Sequence, residues 1–281
     1  MNSLLKAGAH LYLEFYNKEG NTALIVACKI GHLKIVDSLL KAGAHFYLEF
    51  VNNEGNTALI VACKIGHLKI VKLLLDADAN VNQANKNGDT PLIVACEIGV
   101  LEIVKLLLAH PKVRINNSAK DGDTALIVAC AYEHLEIVKF LLANKNINVN
   151  QAKRNGDTAL ISACAYELFE IVKLLLGSKK INVNQTDNEG NAALIIACEG
   201  RSLEIVKLLL NNENINVNQA NKNGDTPLIS ACKSNNLDIV ELLLTNKNIN
   251  VNQANKNNDT ALTIASNKDI IDLLRKFVLS K

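Results

Sequence analysis

The sequence predicts an α solenoid, a stack of helix–turn–helix repeats with projecting β-hairpin arms. Three observations lead there. One phrase recurs eight times, as "NTALIVAC" twice and then "DTPLIVAC", "DTALIVAC", "DTALISAC", "NAALIIAC", "DTPLISAC" and "DTALTIAS". A glycine stands just ahead of it at Gly20, Gly55, Gly88, Gly122, Gly156, Gly190 and Gly224, with Asn258 in the eighth place, so the step is 35, then 33, then 34 residues. A fixed period of that size marks a solenoid, whose units bury their apolar faces only against their neighbours. Third, the abundant Asn residues recur at fixed places between apolar blocks, as turn residues do, and not as a low-complexity tract.

The elements follow in chain order. Residues 3–15 read "SLLKAGAHLYLEF" and residues 38–50 "SLLKAGAHFYLEF", but the "GHLKIV" that precedes the second copy has no counterpart before the first. One turn of helix cannot hold itself together, and the ends of a solenoid need polar caps. The expectation is that Met1 is not the evolved edge of the stack and that upstream repeat sequence is missing. In a full unit, Thr90 before Pro91 signals an N-cap followed by a first helical residue that needs no N–H. Leu92, Ala95 and Cys96 then share one face of a short helix, and Ile98-Gly99 breaks it. The second helix, "LEIVKLLL", would turn Leu101, Val104, Leu107 and Leu108 inward. Its exposed face carries Glu102 and Lys105 three apart, a pair repeated as Glu136–Lys139, Glu170–Lys173 and Glu204–Lys207. Segments of the "NINVNQANKNGD" type are the arms. The last unit, "IASNKDIIDLLRKFVLSK", shortens the turn between helices and adds Arg275, Lys276 and Lys281, as a cap would. The reading is one domain over 1–281: a partial repeat at 1–16, repeats at 17–51, 52–84, 85–118, 119–152, 153–186, 187–220 and 221–254, and a capping repeat at 255–281.

With "DTPLIVACEIGVLEIVKLLL" and arms such as "DADANVN" in place, the chain resembles the ankyrin repeat along essentially its whole length. The resemblance implies helices on one side, hairpins at right angles to them, and a concave groove lined by inner helices and arm tips. Three departures stand out. The His that usually follows T-P-L is Ile25, Ile60, Ile93, Ile127, Ile161, Ile195 and Ile229, then Thr263. The Gly that ends the first helix is present as Gly31, Gly66 and Gly99 and then becomes Glu133, Glu167, Arg201 and Asn235. If these stay left-handed, each costs about 1 kcal/mol, so the later turns are expected to differ. From the fourth arm on there is one extra residue, as in "NKNINVN" against "DADANVN".

Candidate sites are few. Cys28, Cys63, Cys96, Cys130, Cys164, Cys198 and Cys232 share one repeat position. Packed helices put such positions about 10 Å apart, beyond the roughly 7 Å a disulfide allows between Cα atoms. They read as small buried residues of a reducing compartment. The six His are dispersed, no His pairs with a carboxylate at metal-ligand spacing, and the glycines fall one per repeat. Nothing supports catalysis, a metal or a cofactor. The ends of the inner helices, where the resemblance places partner contacts, offer Ile30, Lys64, Ile65, Glu97, Ile98, Tyr132, Glu133, Tyr166, Glu167 and Arg201. Such a row is a binding strip or is partly covered by the next repeat. Six of the eleven Phe and Tyr crowd the first two arms, as Tyr12, Phe15, Tyr16, Phe46, Tyr47 and Phe50. Tyr47 and Phe50 replace polar turn residues, and either form a contact patch or pack across neighbouring arms.

Composition narrows the function. Hydrophobic residues are 49% and charged residues 21%, enough for a core and against wholesale disorder. A formal net charge of +2 excludes strong generic attraction to nucleic acid or acidic membrane. Lys86, Lys120, Lys153, Arg154, Lys222 and Lys256 at the arm tips read as solvated charge. No apolar run approaches the roughly 20 residues of a membrane span, and no signal peptide opens the chain. An intracellular, cytoplasmic monomer that binds an unidentified protein through its groove, without chemistry, is the expectation. The alternative is a regulatory or targeting segment of a larger protein whose effector lies elsewhere.

Overall fold

The computed structural model describes residues 16–279. Pairs of antiparallel helices repeat along the chain, for example Ala58–Ile65 with Leu68–Asp76 and Pro91–Ile98 with Leu101–Ala109. The chain divides into two compact units, Met1–Ile147 and Asn148–Lys281. Within each unit, first helices pack on first helices and second helices on second helices of the neighbouring repeats.

Six first helices start at a threonine whose Oγ1 accepts the N–H three residues on, at Thr22, Thr57, Thr90, Thr124, Thr158 and Thr226. Pro91 and Pro227 follow their caps at the first helical position. The sixth copy has Ala192 there and no side-chain cap. In the last repeat, Thr260 and Thr263 close a reciprocal capping box, and the first helix shrinks to Ala261–Ile264.

Burial of the first helix is not confined to one face. Leu92, Ile93, Val94, Ala95 and Cys96 are all buried, because the helix is sandwiched between its neighbours and its own partner helix. The Ile that replaces the family's His is buried in all seven repeats that carry it, so apolar packing stands where a polar group was expected. The second helix turns Ile103, Val104 and Leu107 inward, while Leu101 and Leu108 are only half-buried. Leu101 and Leu108, expected inward, lie at the margin of the core, because three inward positions suffice for a helix covered from one side. Each such fully buried side chain contributes about 1.5–3 kcal/mol.

The turn after the first helix is the same whether or not it holds glycine. Glu133, Glu167, Arg201 and Asn235 have φ of 55°, 57°, 62° and 53°, beside 78° for Gly66 and 80° for Gly99. After all of these but Gly99, the next residue donates its N–H to a carbonyl five back, as His67 to Ala62 O at 3.0 Å and His134 to Ala129 O at 3.0 Å. The later turns thus keep the left-handed geometry, contrary to the expectation that they differ.

The arms contain no strand among the described residues. Isolated bridges, Ser118 to Thr124, Ala152 to Thr158 and Thr186 to Ala192, are what remains of the expected β-hairpins. Side-chain amides hold these segments instead. Asn85 Oδ1 accepts the N–H groups of Asn87 and Asp89, both at 2.9 Å, which shapes the tip. The second Asn of every "NVN" but the last then clamps the next arm. Asn184 Nδ2 donates to Asn214 O at 2.7 Å while its Oδ1 accepts Asn216 N–H at 2.8 Å. Asn82, Asn150 and Asn218 do the same. At the tips, Lys86 N–H donates to Glu54 O of the preceding arm. The approach is so close that a Cβ on Gly88 would sit 2.8 Å from Lys120 N, which is why glycine stands there.

All seven cysteines are free and buried. The expectation that Met1 is not the edge of the stack, and the contacts expected of Tyr12 and Phe15, lie outside the described residues.

Candidate functional site

In the first unit one repeat position, two residues after the buried cysteine, is apolar and open to solvent in four successive repeats. Ile30, Ile65, Ile98 and Tyr132 occupy it, with 62%, 47%, 42% and 54% of their surface exposed. These side chains leave the last turn of each first helix, so the helix that buries Cys28 or Cys96 also fixes where the exposed residue points. The isoleucines thus keep a large share of their surface open to solvent beside the next repeat.

Beside this row, between the first helices and the arms of the first two repeats, lies a cleft of about 500 Å³. Val61 and Ile65 give it an apolar wall. Two of its lysines are already matched. Lys29 Nζ lies 3.0 Å from Glu19 Oε2, which holds the Glu19 carboxyl below its usual range, and Lys64 lies 3.9 Å from Glu54. At Tyr132 the phenol donates to Glu97 Oε1 at 3.2 Å. The charge of Glu97 pushes the Tyr132 hydroxyl's pKa up. His134 Nε2 meets Glu97 O at 3.1 Å, and its ring stacks on Tyr132 with centroids 6.1 Å apart. Tyr132 is therefore held upright at the end of the row, with Glu133 exposed next to it.

In the second unit the same position begins with Tyr166, 69% exposed, and continues as Gly200 and Ser234. Glu167 and Arg201 are exposed beside it. The inner face here turns polar. Ser230 Oγ donates to Glu199 Oε1 at 3.1 Å and Ser234 Oγ to Glu199 O at 3.3 Å. Burial raises the Glu199 carboxyl above its usual range. Asp225, buried, is paired with Lys233 and accepts Asn255 Nδ2 at 2.8 Å. Sequence reasoning missed this cluster, although Ser230 in place of valine was a visible signal.

Tyr47 and Phe50 belong to a different place, the second arm. The Phe50 ring stacks on Tyr16 at 6.3 Å and meets Tyr47 edge-on at 5.1 Å, while Phe46 stands 77% exposed. Neither Tyr47 nor Phe50 lines the cleft beside the row.

Among the described residues no group of three or more His, Cys, Asp or Glu could hold a metal ion, and no helix is long and apolar enough to cross a membrane. The family model described as ankyrin repeats (3 copies) matches residues 1–85, 78–153, 143–221 and 213–278. A similar solved structure is the ankyrin repeat domain of Bcl-3, described as a unique member of the IkappaB protein family. It is 27% identical, with 92% of this chain and 100% of that one covered and a TM-score of 0.58. No curated protein sequence matches the chain.

Proposed function

The chain belongs to the ankyrin-repeat family, whose repeats are protein–protein interaction modules, and from that premise we propose that it is a non-catalytic scaffold capturing a protein on the inner-helix row of its first unit. The observation behind this is the row itself: Ile30, Ile65, Ile98 and Tyr132, one per repeat, exposed just beyond the buried cysteine of each first helix. Lys64, Glu97 and Glu133 border it and set the register of the partner. Large exposed apolar side chains in line, with polar groups at the rim, are the anatomy of a recognition surface. Tyr166, Glu167 and Arg201 give the second unit a shorter contact of its own. Tyr47 and Phe50 act by stiffening the second arm through their ring contacts.

The test is affinity capture with the whole chain, set against an Ile65→Ser/Tyr132→Ala variant and, separately, Tyr166→Ala. An aromatic anchor at the centre of an interface costs at least about 2 kcal/mol when truncated, roughly thirtyfold in affinity. Loss of that size in the first variant is expected. Full retention by a variant with unchanged thermal stability would overturn the assignment.

A further inference from the structure

The outer helices of the first two repeats lack a charge pair that three later repeats share. In those three the second helix opens with a glutamate bonded to the lysine three residues on: Glu102–Lys105 at 2.8 Å, Glu136–Lys139 at 2.6 Å and Glu204–Lys207 at 2.6 Å. At the glutamate's place the first two repeats carry Lys34 and Lys69. Lys69 precedes Lys72 by three, so like charges stand where an ion pair would be. Among the described residues no carboxylate pairs with Lys34, Lys69 or Lys72. Asp37, the nearest candidate by position, is taken by Lys41 at 2.6 Å.

These three lysines border a cleft of about 400 Å³ between the helices Leu33–Lys41 and Leu68–Asp76. Leu33 and Leu73 give it apolar walls, and Asp37 and Asp76 complete the lining. Leu33 and Leu68 are each more than a third exposed at the start of their helices. An open apolar slot bordered by three unpaired lysines against one unpaired carboxylate, Asp76, is complementary to an anionic ligand that also carries hydrocarbon.

We propose that this outer-helix cleft docks an acidic peptide segment of a partner protein, with apolar side chains seated between the two helices. The surface is separate from the inner-helix row and does not depend on it. A polybasic membrane surface uses about 4–8 Lys or Arg on a face that meets a plane of lipid. Three lysines around a concavity that also contains two carboxylates suit a discrete segment better. Single-stranded nucleic acid needs aromatic side chains for bases to stack on, and none lines the cleft.

The experiment is fluorescence anisotropy on the whole chain, with a fluorescein-labelled short peptide of Glu and Asp around a central Phe–Leu pair. The variant is Lys34→Glu/Lys69→Glu. At position 69 it gives Lys72 a carboxylate three residues before it, as in the three paired repeats, and both changes fall on exposed positions, so the fold is kept, as a melting curve verifies. Saturable binding is expected, weakened at least about tenfold in the variant and likewise when the peptide's Phe–Leu becomes Ser–Ser, and falling with added salt. The Ile65→Ser/Tyr132→Ala variant should bind this peptide as the parent does. No saturable binding, equal affinity in the charge variant, or equal affinity for the Ser–Ser peptide overturns the proposal. Preference for phosphatidylserine vesicles or a thymidine oligonucleotide over the peptide overturns it as well.

Discussion

Replacing Glu167 or Arg201 by glycine is expected to stabilise the protein, although neither substitution adds a contact. Both residues sit in the left-handed region, at φ of 57° and 62°. A non-glycine residue there loses about 1–2 kcal/mol to its Cβ. Glycine returns about 0.5–1 kcal/mol of that through the greater freedom of the unfolded chain. The net gain is about 0.5–1 kcal/mol per site, and about 2 kcal/mol for Glu133→Gly, Glu167→Gly and Arg201→Gly together, a rise in Tm of at least about 4 °C. Asn235→Gly should gain only a few tenths, because Asn tolerates the left-handed region. The reverse changes calibrate the argument. A Cβ on Gly66 would lie 3.5 Å from Val100 Cγ2, so Gly66→Ala costs the backbone term alone. A Cβ on Gly99 would lie 2.3 Å from His134 Cε1 and must displace the imidazole from Glu97 O, adding about 1 kcal/mol. His134→Ala in the same chain should remove that increment. Urea titration followed by circular dichroism measures all of these. If Glu167→Gly and Arg201→Gly destabilise, or if Gly66→Ala and Gly99→Ala cost the same, the reasoning fails.

Other outcomes follow from single interactions. Ala192→Thr supplies the missing cap of its helix and should add about 0.5–2 kcal/mol; an unchanged urea midpoint would show that the cap does not form. Asn184→Ala removes both clamp bonds and should cost about 1–2 kcal/mol, whereas Asn252, whose side chain clamps no following arm in the described structure, should tolerate the same change. Burial pushes the thiols of Cys28, Cys130, Cys164 and Cys232 up to about 12, and those of Cys63, Cys96 and Cys198 still further. The neutral thiol is favoured by folding, so this stability is complete below the unfolded thiol pKa near 8.5. It is lost as pH rises from there toward 12, by up to about 1.4 kcal/mol per pH unit for each thiol. Urea midpoints that do not fall between pH 8 and pH 10, or rapid labelling of most thiols in the native protein, would contradict that.

The repeat period and the threonine caps were legible in the sequence, because each rests on neighbours within one helix or on a pattern that recurs. The exposed row was legible too, as an alignment of Ile30, Ile65, Ile98 and Tyr132, though not its exposure, which depends on how far the next repeat reaches. Three features needed the tertiary structure. Asn looked like a turn residue, and at Asn85 it is one, but Asn184 bonds an arm some 30 residues on. Residue type gives an amide's capacity to donate and accept, and only packing says which carbonyl stands opposite. The aromatic residues of the second arm admitted two readings, and the positions of Tyr16 and Tyr47 around Phe50 show a packed cluster. Last, the loss of glycine after Gly99 seemed to require a different turn. The turn is unchanged, and what changes with it is the neighbour: His67 faces Gly31 and His134 faces Gly99, while the positions 35 residues after Glu167 and Arg201 are Ser202 and Asn236. At Gly31 and Gly99 the imidazole leaves no space for a Cβ, whereas Gly66 faces Val100 with room for one, so at those two turns glycine is required by the next repeat and not by its own.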